Sequence, residues 1–154
     1  MINKICSLII VLLLIVSTVS AADELLRKTN WLATSQEHIF YKNGVKVSRE
    51  ELALTGRNVI ISEGQIPDGV YRDEGERKEV SYQNGKLNGP MKQYLEDGKL
   101  SYEHEMKDDK PISLKSYFPD GNVKSQTVFN DDGSYIEKIF DENGQIVKTN
   151  KKSK

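Results

Sequence analysis

Four aromatic residues stand 23 positions apart along the chain: Tyr71, Tyr94, Tyr117 and Phe140. Glycines repeat at the same step, Gly75, Gly98, Gly121 and Gly144, after Glu74, Asp97, Asp120 and Asn143. This period constrains the fold more than any other feature, because a unit of fixed length packs on its own copies. "MKQYLEDGKL" (91–100) and "LKSYFPDGNV" (114–123) keep Lys, Tyr, Asp and Gly identical and their other apolar positions apolar. A second turn signal falls midway in each unit. It is Asn84-Gly85 in one and Asp132-Gly133 in another, with Asp108-Asp109-Lys110-Pro111 between them lacking the glycine. Asn-Gly and Asp-Gly suit hairpin turns because those turns need positive φ.

Between the turns the residues alternate with the period of a strand. In "LSYEHEMK", Leu100, Tyr102, His104 and Met106 point one way and Ser101, Glu103, Glu105 and Lys107 the other. Tyr135–Phe140 carries apolar groups on both faces, which predicts a strand covered on two sides. Each strand holds only two or three large apolar residues, too few for a thick two-sheet core. The expected fold is all-β: an antiparallel hairpin meander of four units of about 23 residues, one face lightly packed and the other wet.

Ahead of the repeats, "SREELALTG" sets Ser48 and Glu51 at capping-box spacing, with Gly56 as a C-cap, and predicts a short helix. Residues 23–32 read as a short helix or a flexible lead. Phe40–Val45 reads as a hairpin about Asn43-Gly44, and Asn58–Ser62 as a strand. The expected organisation is a leader over 1–22, an N-terminal segment over 23–66, repeats over 67–147 and a disordered basic tail over 148–154.

The leader follows from "MINKICSLIIVLLLIVSTVSAADE". Lys4 supplies the positive start, Leu8–Val16 the apolar run, and small residues fit cleavage after Ala21 or Ala22, with Ala22 preferred. The run is shorter than the roughly 20 residues a spanning helix needs. Cleavage removes Cys6, the one cysteine, and with it any thiol chemistry or disulfide. The expected location is periplasmic or secreted, in a bacterial envelope. Twenty-two Lys and Arg stand against 23 Asp and Glu, and the leader removes only Lys4, so no basic face for nucleic acid is implied.

Nothing in the sequence assembles a catalytic set. His38 and His104 lack a His, Cys or Glu at metal-ligand spacing. His104 reads as tucked on an apolar face and His38 as a surface residue. The turn acids miss the calcium-loop spacing and stand where turns use Asx chemistry. No G-x-S-x-G elbow and no G-K-[ST] step is present. No cofactor and no metal are expected. The repeated aromatics read as a stripe packing unit on unit. The alternative is an exposed ladder, with Trp31, Tyr71, Tyr94 and Tyr117 stacking on sugar rings or on a partner's apolar surface.

"YQNGKLNGPMKQYLEDGKLSYE" (82–103) resembles the MORN-repeat variant and, more closely, the bacterial YwqK family, described as antitoxins of toxin–antitoxin pairs. Gly85, Asn88 and Gly89 match its G-x-x-[HN]-G step, and Tyr94 and Gly98 its following aromatic and turn. The resemblance spans about Gly69 to Ile146 and implies a β-meander with a binding role and no catalytic residues. "DDKPIS" departs from the Gly-rich step, and an export leader departs from an antitoxin acting in the cytoplasm. Together these features predict an exported, non-enzymatic repeat module binding another protein, immunity-like in one form. The alternative is a module for glycan or anionic lipid.

Overall fold

A computed structural model describes residues 22–55 and 58–153. The predicted leader, apart from Ala22, and Gly56 lie outside the described residues. Ahead of the repeats stand β1 (Leu25–Trp31), β2 (Ser35–Lys42), β3 (Val45–Ala53) and β4 (Val59–Gly64). The repeats supply β5 (Gly69–Asp73), β6 (Lys78–Gln83), β7 (Lys86–Tyr94), β8 (Leu100–Lys107), β9 (Lys110–Tyr117), β10 (Val123–Phe129), β11 (Tyr135–Phe140) and β12 (Ile146–Lys152). All twelve form one sheet, in the order β12 to β5 and then β1-β2-β3-β4. Every pairing is antiparallel except β1 with β5, which runs parallel through a single Cα pair, Leu26 and Arg72.

The meander follows from its turns. After Tyr94 the N–H of Leu95 donates to the Lys99 carbonyl at 2.8 Å and the Gly98 N–H returns to the Leu95 carbonyl at 3.0 Å. The same pair of bonds recurs at Phe118/Asn122 with Gly121, at Asn130/Ser134 with Gly133 and at Asp141/Gln145 with Gly144. Gly98, Gly121, Gly133 and Gly144 all hold positive φ there. Asp97, Asp120, Asp132 and Asp141 fix these four turns by accepting the N–H two residues on. The intervening turns are two-residue, with both central residues at positive φ, at Asn43-Gly44, Asn84-Gly85 and Asp108-Asp109. The first unit differs: Gly75 lacks positive φ, Arg77 adopts it instead, and Tyr71 sits two residues inside its strand end.

Three expectations about the ends are corrected. The helix predicted at Ser48 is strand β3, paired on both sides. Ser48 Oγ caps no helix but donates to the Glu63 carbonyl of β4, and Glu51 accepts Ser35 Oγ. Residues 25–31 are β1 rather than a helix or a loose lead. The tail expected to be disordered continues as β12 to Lys152, laddered on β11. In each case a neighbouring strand satisfies the backbone, and that outweighs local propensity.

The core lies where the two ends of the chain's path meet. β4 and β5 are four strand positions apart, about 19 Å in a flat sheet. The steps from Gly64 to Gly69 span about 17 Å at full stretch. The sheet therefore curls, and register shifts at Phe40/Tyr41 and Glu51/Leu52 add bend. The link crosses the inner face and drops Ile66 onto Phe40, Tyr71, Val80 and Tyr82. Phe40, Tyr71 and Tyr82 meet edge to face at 5.2–5.6 Å. Tyr71 Oη donates to the Pro67 carbonyl at 2.9 Å, tying the link down.

Candidate interaction surface

Residues directly opposite in a ladder share a face. On the core face one row runs Tyr71, Val80, Met91, His104, Leu114, Thr127, Glu137 and Asn150 across β5 to β12. It begins in the sealed core, stays apolar through Leu114 except at His104, and is polar from β10 onward. Tyr82 and Leu87 flank it on one side, and Gln93 and Tyr102 on the other. Over β5 and β6 this face lies under the link. Over β7 to β9 no described strand forms a second layer: Met91, His104 and Leu114 are half-buried and Tyr102 is 47% exposed, although Met106 is buried. A shallow hollow there is lined by Lys78, Met91, Lys92, Gln93, Tyr102 and His104.

The opposite face is charged. Its central row is Arg72, Glu79, Lys92, Glu103, Lys115, Gln126, Lys138 and Thr149, alternating in sign as far as Lys115. Opposite charges directly across a ladder attract, while water and salt keep each pair weak. The repeated tyrosines lean on this row. Tyr94 Oη donates to Glu79 at 2.9 Å and Tyr117 Oη to Glu103 at 2.8 Å. Burial, reinforced by Glu103, pushes the Tyr117 phenol up to about 12, and Tyr94 is raised for the same reasons, with Glu79 as its partner. In the N-terminal strands the outer face carries Arg49, which bonds Glu37 and reaches Glu51 and Glu63 at 3.3 Å.

The aromatic period therefore does not form one ladder. Tyr71 is fully buried on the core face, whereas Tyr94 and Tyr117 lie on the charged face, each half-buried with its hydroxyl engaged. Phe140 ends β11 and is also half-buried. Trp31 stands apart, 60% exposed, its indole N–H donating to Glu76 at 2.8 Å. Gly89 lies inside β7, where a Cβ would stand 3.4 Å from that of Ser81. β11, expected to be covered on two sides, leaves Ile136 41% exposed.

His38, expected at the surface, is buried on the core face beside Phe40. Its Nδ1 has no hydrogen-bond partner among the described residues, and the Glu50 carboxylate is 3.9 Å away. Near it lies a buried ionic lock invisible in the sequence. Asp73 Oδ2 accepts Arg27 Nε at 2.9 Å and Thr29 Oγ1, while Oδ1 accepts the Glu76 N–H at 3.1 Å. With both oxygens engaged and the group buried, Asp73 joins β1 to the β5 turn. A partner 46 residues away leaves no local signal. Among the described residues no cluster of three or more His, Cys, Asp or Glu is placed to hold a metal ion.

Residues 87–108 and 113–131 match the MORN repeat variant family. These two segments contain β8 and β10 whole and most of β7 and β9, the strands that carry the uncovered apolar row. No curated protein matches the chain.

Proposed function

We propose that the chain is a non-enzymatic interaction module acting outside the cytoplasm, and that the core face of β7 to β9 receives an apolar surface of a partner protein. The observation that carries this is the row Met91, His104 and Leu114, which leaves a sealed core and runs on with no layer over it. MORN repeats generally mediate protein or membrane-lipid contacts, which fits the same surface. Action outside the cytoplasm rests on the leader read in residues 1–22. Pairing with an exported toxin, as an immunity protein, is the narrower form of this reading and rests on the resemblance to the antitoxin family.

The test is capture of a partner from native envelope extract on the immobilised protein, with Leu114→Lys on the core face beside Lys115→Glu on the charged face. One discrete protein retained by the wild type and by Lys115→Glu, and lost by a folded Leu114→Lys, is the expected result. Equal retention by both variants removes the core face from the reading. A second reading has one observation behind it. Tyr102 presents an exposed ring beside Gln93 and His104, an arrangement suited to stacking on a sugar. Retention on peptidoglycan that Tyr102→Ala abolishes would favour glycan over protein.

A further inference from the structure

An open sheet has two edges, and here they differ in charge. β4, at one end, has the sequence Val59-Ile60-Ile61-Ser62-Glu63-Gly64, with one acid and no base. β12, at the other, has three lysines, Lys148, Lys151 and Lys152, and no acid. Each edge also exposes two adjacent apolar side chains, Val59 and Ile60 on β4 and Ile146 and Val147 on β12, all more than half exposed. Among the described residues no strand pairs the outer side of either. Lysines on an edge repel a like edge. They attract an acidic one.

The strand directions agree with this. β1 and β5 are parallel and all other neighbours antiparallel, so β4 and β12 run the same way. A second copy added without turning over sets β4 beside its β12 as a parallel pair. One offset then places Val59 beside Val147 and Glu63 beside Lys151. The faces match as well. Glu63 lies opposite Arg49 on the charged face. Lys151 lies opposite Ile136, which is on that face through Val128 and Ser113. From this we propose that copies of the chain join head to tail, β4 of one pairing with β12 of the next, into an open ribbon with a continuous charged face. A contact between two different edges does not close on itself, so it propagates. The proposal is independent of what the core face binds.

The test is sedimentation equilibrium across a concentration series for the wild type, Glu63→Lys, Lys151→Glu and the double variant carrying both changes. Both positions are exposed, and Arg49 keeps Glu37 and Glu51 when Glu63 is replaced. The wild type should rise in weight-average mass with concentration, and rise less at high salt. Each single variant should stay monomeric, because Lys then meets Lys or Glu meets Glu. The double variant, and an equimolar mixture of the two single variants, should associate again. A wild type that stays monomeric at every concentration overturns the proposal. So does association that Lys151→Glu leaves unchanged, or a double variant that fails to recover it.

Discussion

Trp31 is the one tryptophan of the chain, and its indole N–H donates to Glu76, which also meets Lys78 Nζ at 3.0 Å. The indole bond first, and the ammonium after burial is set against it, hold the Glu76 carboxyl below its ordinary value of 4.5. A carboxyl depressed in the folded state stabilises the fold above its unfolded value. That contribution is lost as the pH falls through the folded one. The window therefore opens below about pH 4.5. Trp31 emission should change in an acid step there, before any loss of strand signal in circular dichroism. Glu76→Gln, whose amide oxygen still accepts the indole N–H, should remove the step and keep the neutral-pH spectrum. An unchanged step in that variant would assign it to another carboxyl.

At the scale of strands, the 23-residue unit is a pair of strands with its faces in phase. Excising Leu95–Tyr117 joins Tyr94 directly to the Phe118 turn, so Tyr94 takes the place of Tyr117 and β10 pairs with β7. Met91 and Gln93 then stand where Leu114 and Ser116 stood, on the same face. The shortened protein should unfold cooperatively, with a urea m-value lower by roughly a sixth, since two of twelve strands are gone. Excising Leu95–Ser116 instead leaves one residue too many before the turn. A one-residue slip exchanges the faces of every following strand, so this variant should be far less stable. Equal stability of the two would mean the faces carry no information. Phase was legible in the sequence because glycine and Asp marked the turns and alternation marked the faces. The helix expected at Ser48–Gly56 was not resolvable that way. Ser48 and Glu51 fit a capping box by spacing, and nothing local reports that β2 and β4 flank them. The misplacement of His38 has the same origin, since Phe40 and Tyr71 enclose that region from strands 31 positions apart.

Across the whole molecule, packing is concentrated at the seam between the N-terminal strands and the repeats. Backbone pairing there is a single Cα pair, so side chains hold it: the Phe40–Tyr71–Tyr82 triangle, Ile66 from the link, and Arg27 with Asp73. Beyond it burial thins out. β10 contributes only Thr127, and neither β11 nor β12 buries a side chain fully. Gly69 marks the tight end of the seam, since a Cβ there would lie 2.3 Å from Leu25 Cδ1 of β1. Phe40→Ala should cost about 3–5 kcal/mol. Asp73→Ala should cost a similar amount, about 3–5 kcal/mol, by leaving Arg27 buried without its counter-charge. Ile139→Ala, on β11, should cost less than about 1 kcal/mol, because its site is only half-buried. Hydrogen exchange should show the same gradient, slowest in β5 and β6 and fastest in β12. If Ile139→Ala proved as costly as Phe40→Ala, the repeats would hold themselves together and the seam would be ordinary. A steep gradient instead puts the uncovered row of Met91, His104 and Leu114 next to the most rigid part of the sheet. A partner docking there would meet a preformed surface and pay little ordering entropy on binding.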